Sequence, residues 1–280
     1  MKVVRTVAAL REVLADTGRV GFVPTMGALH EGHLSLVQAA RAAGGTVVLS
    51  VFVNPTQFDE ASDLDAYPRD ERRDLTLAEQ AGVDLVFVPG VGEMYPDGFA
   101  TTVSVTGPLT ETLEGAHRGR AHFDGVATVV AKLLLAVRPD AAYFGEKDAQ
   151  QVVVVRRMVR DLGLPVEVVA SPTARDTDGL ALSSRNARLS AGERAQAAAI
   201  PRVLQSVVDA AARGETEASL LRDRARAGLT AAGLAVEYVE IADPDTLEPV
   251  AQCSGRELVL VAARAGAVRL IDNMPLGGSR

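Results

Sequence analysis

Over its first 170 residues the chain switches repeatedly between two hydrophobic periods. That alternation limits its fold more than any other feature. The runs "VGFVPT" (20–25), "VVLSVFV" (47–53), "DLVFV" (84–88), "AAYFG" (141–145) and "VEVVA" (166–170) are short, apolar and rich in β-formers. Between them, helical spacing of apolar residues fills stretches near 33–43, 71–82, 124–137 and 148–162. Strands alternating with helices predict an α/β fold with a mostly parallel, doubly wound sheet. Ligands of such sheets bind beyond the carboxyl ends of the strands. Here those ends are Thr25, Asn54-Pro55, Pro89-Gly90 and Gly145-Glu146-Lys147, mostly turn formers or polar groups.

The texture changes after "SPTARD" (171–176). Ser190 with Glu193 makes a capping-box pattern before a long Ala-rich helix, and a second helix is expected near 217–231. "VEYVEIAD", "RELVLVAA" and "AVRLIDN" then read as strands, the last two joined across Arg264-Ala265-Gly266. Helices followed by clustered strands suggest a small α+β domain. The expected division is 1–173 for the larger domain and 174–280 for the smaller.

Composition excludes several classes. The net charge is -7, which repels nucleic acid and anionic membranes in general. Trp is absent and aromatics are only 4%, so stacking platforms for single strands are not expected. Neither nucleic acid nor membrane is an expected partner, and an anionic ligand needs a local cationic pocket. Cys253 is the only cysteine, so no disulfide can form within the chain, which fits a reducing cytoplasm. The N-terminal stretch is broken by Arg5, Arg11 and Glu12 and lacks a signal peptide's apolar core. "VATVVAKLLLAV" is too short to span a bilayer, and Lys132 interrupts it.

"GALHEGHLSL" (27–36) places His30 and His33, two of the four histidines, beside Gly27 and Gly32. It follows a strand and opens a helix. A helix N-terminus offers unpaired N–H groups and a positive dipole end, so anions are favoured there. Two imidazoles can add hydrogen bonds to phosphate oxygens. The bland alternative is a pair of capping or core histidines. Zinc is a weaker reading, because His-x-x-His is not the pattern that sets two ligands on one helical face, and only His117 and His122 remain as further imidazoles.

Other groups accumulate at the same sheet edge. Lys147 in "YFGEKDAQQ" follows a strand and can act as a point charge on a phosphate. Gln150 and Gln151 either read a polar substrate or face water. Ser183, Ser184, Arg185 and Asn186 pack many donors into one segment, which suits a mobile loop closing over a triphosphate or an ordinary polar loop. Asn54 and Gln57 in "FVNPTQF" are candidates for fixing a small hydroxylated acid. No activated nucleophile, Walker pattern or Gly-x-Gly-x-x-Gly is present. Donors and cations without a nucleophile suggest stabilised charge in an in-line displacement at phosphorus.

The stretches "PTMGALHEGH", "VFVNPTQF", "DLDAYPR", "YFGEKDAQQ" and "GLALSSRN" resemble, in order and spacing, those of the bacterial pantothenate synthetase family, and the resemblance covers nearly the whole chain. The first is similar to the "HIGH" signature of nucleotidylyltransferases. The resemblance implies that ATP and (R)-pantoate form pantoyl adenylate and pyrophosphate, and that β-alanine then gives pantothenate and AMP. It implies Mg²⁺, a Rossmann-like domain with a smaller C-terminal lid, and a homodimer. By position it assigns ATP to Met26, Gly27, Ala28, Leu29, His30, Glu31, Gly32 and His33, then to Gly145, Glu146, Lys147 and Asp148, and to Leu182, Ser183, Ser184 and Arg185. His33 is the usual catalytic assignment, with His30, Lys147 and Arg185 beside it. Gln57 and Gln151 would hold pantoate, with Gln57 near β-alanine and with Asn54 and Thr25 close by.

The chain departs from the family in three places. Leu182 stands where Met is usual. Around "LEGAHRGRAHFDGV" an extra residue leaves open whether Arg118 or Arg120 takes the family's arginine position. Consecutive acids that some relatives carry after "YPR", linked to metal, are reduced here to Asp74, so protein ligands for Mg²⁺ stay unassigned. The rival readings are another adenylyltransferase, a nucleotide sensor without turnover, and a metallohydrolase.

Overall fold

The computed structural model describes residues 1–58, 64–65 and 67–277. Asp63 and Ala66 of the "DLDAYPR" stretch lie outside the described residues. The chain divides into two compact units, one of residues 1–145 with 150–172, the other of 146–149 with 173–280.

The first unit is built on six parallel strands, β1 (Lys2–Val4), β2 (Val20–Thr25), β3 (Thr46–Val51), β4 (Leu85–Phe87), β5 (Ala141–Gly145) and β6 (Glu167–Ser171), in the order β1-β4-β3-β2-β5-β6. Helices α1 (Val7–Leu14), α2 (Glu31–Ala42), α3 (Glu71–Gln80), α4 (Arg120–Val137) and α5 (Ala149–Asp161) alternate with them. Successive strand residues point to opposite faces. Phe22, Val48, Phe87 and Phe144 enter one core, while Val23, Leu49, Val86 and Tyr143 enter another. Burial on both faces explains why the strands read as unbroken apolar runs and not as alternating ones. Each fully buried Phe or Leu adds about 1.5–3 kcal/mol relative to exposure.

"VATVVAKLLLAV" forms much of α4, buried in the first core. Lys132 turns its ammonium toward Phe99, 4.6 Å from the ring centre, so its charge is carried on an aromatic face. Among the described residues no helix is long and apolar enough to cross a membrane.

Strand order reverses between β2 and β5, and there the ladder is short. β2 pairs β5 only at Gly21↔Ala141 and Phe22↔Ala142, whereas it follows β3 through to Thr25↔Val51. Pro24 has no N–H to donate, and past Phe22 the two strands no longer pair. A parting at the point of reversal is the crevice that doubly wound sheets use for ligands. α2 lies close on β2, since a Cβ on Gly21 would stand 3.3 Å from that of Ala40.

The second unit has three antiparallel strands, β7 (Ala235–Ala242), β8 (Leu258–Ala265) and β9 (Val268–Pro275), packed with α6 (Ala191–Ala197), α7 (Ala199–Ala212) and α8 (Ala218–Ala231). The Ser190–Glu193 capping box is present. The single Ala-rich helix expected after it is two helices that meet at Ala198. Pro201 falls in the first turn of α7, where its missing N–H costs little, and a continuous helix would have placed it in the interior.

Candidate active site

β2 ends at Thr25, and the chain must then turn sharply to enter α2. It does so with Gly27 at φ 82° and Ala28 at φ 50°, two successive left-handed residues. Thr25 is buried; its hydroxyl donates to the Ser50 carbonyl at 2.6 Å and accepts from Gly27 N–H at 3.1 Å. Thr25 therefore shapes the turn. Ala28 and Leu29 N–H groups donate to Asp74 of α3 at 2.8 and 2.7 Å.

His30 is the N-cap of α2 and its Nδ1 accepts from Gly32 N–H at 3.1 Å. An accepting Nδ1 carries no proton, so a neutral His30 carries its proton at Nε2. His33 stands one turn in, its ring centre 4.1 Å from that of His30. The unpaired amides expected in this turn are partly occupied. Gly32 N–H goes to the His30 ring, and His33 and Leu34 N–H go to the His30 carbonyl at 2.8 and 3.1 Å. What the segment offers an anion is thus the dipole end and two imidazoles. The capping and functional readings of the histidines, posed as alternatives, are both open to His30.

Beyond β3, Asn54 is 1% exposed and fully engaged. Its amide donates to Gln57 Oε1 at 3.0 Å and to the Gly125 carbonyl at 3.2 Å, and its Oδ1 accepts from the Tyr95 hydroxyl at 2.7 Å. A saturated carboxamide does not read a substrate. It fixes its neighbour: with Oε1 taken, Gln57 has its N–H₂ left to donate. His122 Nδ1 lies 2.8 Å from the Gln57 carbonyl oxygen. Burial pushes the Tyr95 hydroxyl's pKa up, against a smaller opposite pull from Thr56, so Tyr95 remains a donor. The sequence carried no local signal for Tyr95 or His122, which come from distant segments.

Gln150 and Gln151 part company. Gln150 is buried, its amide donating to the Leu109 and Thr112 carbonyls at 2.8 and 2.9 Å and its oxygen accepting from Glu114 N–H at 2.9 Å. It is a brace and reads no ligand. Gln151 is half-buried. Arg118 is the more buried of the two arginines left open; its Nε donates to Glu114 at 3.4 Å, while Arg120 lies beside Asp124 at 3.8 Å and is half exposed.

In the second unit, Glu146, Lys147 and Asp148 form a 3-10 turn directly after β5. Asn273 Nδ2 donates to the carbonyls of Glu146 and Lys147 at 2.8 and 3.1 Å. Lys147 shares one cavity with Ser183, Arg185, Asn186, Arg269 and Asp272. Lys147 and Arg185, 38 positions apart in sequence, are thus neighbours in one cationic hollow. The polar segment, read either as a mobile loop or as an ordinary polar one, forms a 3-10 helix, Ser184–Arg188, capped by Ser183. Leu182 N–H donates to the Ala174 carbonyl at 2.9 Å. Asp272 meets Arg175 in two bonds of 2.7 and 3.0 Å, while Lys147 lies 3.5 Å from Asp148 and Arg269 2.6 Å from Glu237. Among the described residues no group of three or more His, Cys, Asp or Glu side chains could hold a metal ion.

A family model described as pantoate-β-alanine ligase matches residues 2–275. A pantothenate synthetase from Cereibacter sphaeroides is 53% identical over 279 residues, covering 98% of this chain and 99% of that protein. The crystal structure of pantothenate synthetase from Thermus thermophilus is 51% identical, covers 99% of both chains and superposes with a TM-score of 0.93. The structure of pantoate-β-alanine ligase from Francisella tularensis, complexed with β-γ ATP and β-alanine, is 31% identical, covers 100% of this chain and 99% of the other, and has a TM-score of 0.81.

Proposed function

The chain belongs to the pantoate-β-alanine ligase family, and from that premise we propose how its residues divide the work. It is an ATP-dependent ligase that joins (R)-pantoate to β-alanine through pantoyl adenylate, with release of pyrophosphate and AMP. The two histidines at the start of α2 carry the proposal. They stand as a tilted pair of imidazoles in the first turn of α2, after a loop held by Asp74.

Met26–His33 takes the ATP phosphates, with His33 and the Nε2–H of His30 on the oxygens that gain charge as the pantoate carboxylate attacks the α-phosphate. Gly145–Asp148 and Leu182–Arg185 complete the nucleotide contacts, Lys147 and Arg185 supplying positive charge. Such donors act on charge that develops in the transition state, which is how a site without a nucleophile accelerates transfer. Gln57, aimed by Asn54, donates to pantoate, and Gln151 joins it. The unit of residues 1–145 with 150–172 supplies the histidines and the pantoate groups, and the unit of 146–149 with 173–280 supplies Lys147 and Arg185.

The described residues do not make a resident metal centre. No suitable side-chain cluster exists among those described, and each oxygen of Asp74 already accepts from a backbone amide. Mg²⁺ is therefore assigned to the ATP phosphates and enters as part of the substrate. A cytoplasmic homodimer completes the reading.

Two measurements test it. Incubation with ATP, Mg²⁺, pantoate and β-alanine should yield pantothenate and AMP by mass spectrometry. Labelled pyrophosphate should exchange into ATP with pantoate alone, before β-alanine is added. Exchange without pantoate would instead mean an adenylylated enzyme.

A further inference from the structure

We propose that Asp74 is a positioning residue for the reaction: its buried carboxylate holds the backbone of Ala28 and Leu29, and so sets where His30 and His33 stand. The inference rests on the reading that these two histidines serve ATP.

Four observations converge. Asp74 is 1% exposed, and a buried carboxylate is tolerated only where strong donors meet it. Each oxygen receives one amide, Oδ2 from Ala28 at 2.8 Å and Oδ1 from Leu29 at 2.7 Å, the short distances of charge-assisted bonds. The segment so held includes Ala28 at φ 50°, a conformation that a residue with a Cβ adopts at a cost. Finally, a Cβ on Gly27 would stand 2.8 Å from Asp74 Oδ2 and 3.0 Å from Val51 Cγ1, so the loop lies directly against the carboxylate. Arg73, beside it on α3, adds a bond from Nη1 to the Leu29 carbonyl at 3.1 Å. One turn of α3 thus grips Leu29 by both its N–H and its C=O. His30 follows immediately as the N-cap of α2, and His33 is referenced to it through the His30 carbonyl. A displaced loop moves both rings, and misplacement of about 1 Å can cost on the order of 10²-fold in rate.

The test compares Asp74→Asn, Asp74→Ala, Gly27→Ala and His33→Ala in pantoate-dependent pyrophosphate–ATP exchange, with kcat and KM separated and Mg²⁺ varied. Asp74→Asn keeps one acceptor and Asp74→Ala none, so kcat should fall about tenfold or more in the first and further in the second. KM for pantoate should hold in both, and excess Mg²⁺ should restore neither. Gly27→Ala, which pushes the loop off an intact Asp74, should lose kcat likewise and decides the matter if the Asp74 variants do not fold. Hydrogen exchange should show the Ala28 and Leu29 amides protected in the wild type. Wild-type kcat in folded Asp74→Asn or in Gly27→Ala overturns the proposal, as does recovery with Mg²⁺, which would make Asp74 a metal ligand. If His33→Ala keeps full activity, the assignment of the histidines fails instead; if it loses activity while Asp74→Asn does not, only the positioning role fails.

Discussion

The imidazole of His30 accepts a hydrogen bond from Gly32 N–H and has its ring centre 4.1 Å from that of His33. His30 thus starts the helix, and in the proposed reading both imidazoles meet ATP. The two roles separate by mutation. His30→Ala should lose both activity and about 0.5–2 kcal/mol of stability, the usual worth of an N-cap. His30→Asn should restore the melting temperature but not the rate. His33→Ala should melt like the wild type and lose on the order of 10²–10³ in adenylate formation.

Lys147 is held by its backbone from Asn273 and sits in a cavity with Arg185. Lys147→Ala should fold normally and lose rate on the same scale, about 10²–10³. Single-turnover formation of pantoyl adenylate is the measurement, and wild-type turnover would remove Lys147 from the mechanism.

Gln57 is aimed through Asn54, and Asn54 through Tyr95. Gln57→Ala and Gln151→Ala should each weaken pantoate use by about 0.5–1.5 kcal/mol, the worth of one neutral bond, and leave ATP affinity unchanged. Tyr95→Phe removes the hydroxyl that meets Asn54 and Thr56 and should raise KM for pantoate by less than Gln57→Ala does. A fall in nucleotide affinity without one in pantoate affinity would count against this arrangement.

Arg194 bonds to Asp178 at 2.7 Å and to Asp176 at 2.8 Å, tying the segment before the Ser184–Arg188 helix to α6. Its bond holds the Asp178 carboxyl below the ordinary aspartate range. The Asp176 carboxyl is lowered by the Thr177 amide first and by Arg194 second. A carboxyl whose pKa is depressed on folding stabilises the fold above its unfolded pKa, and that gain is lost as pH falls through the folded one. Arg194→Gln should therefore cost stability near neutrality, and the difference should shrink as pH falls through the depressed pKa values of the folded state. Thermal melts of the two proteins across pH 2–7 should converge at the acid end.

How much of this was legible depends on where the governing signal lay. β2, β3, β4 and β5 could be read because each is a contiguous apolar run buried on both faces, and β6, a half-buried edge strand, because its Val168-Val169-Ala170 run carries the same signal. β1 could not: it is three residues, two of them exposed, set among Lys2 and Arg5. The break at Ala198 was missed because an Ala run carries no stop, although Pro201 was a usable warning. The donors and cations of the site were visible from residue type alone. The jobs of Asp74, Asn54 and Gln150 were not, because each serves backbone groups or side chains brought near by the fold. Asp74 meets Leu29 across 45 positions and Gln150 meets Leu109 across 41, and no local pattern announces such a pairing.

The strand order has a consequence for synthesis of the chain. β2 is the middle of the sheet, yet its second neighbour, β5, begins about 120 positions after Gly21, at Ala141. β1 waits likewise for Leu85. A growing chain therefore carries an open strand edge from the end of β2 at Thr25 until Ala141 is made, and such edges invite pairing with other chains. Sheets assembled from distant partners also close slowly. The ladder that opens early, between β2 and β5, is the last of the central contacts to be made during translation, so a ribosome-stalled fragment ending before residue 141 should aggregate where one ending past β6 should not.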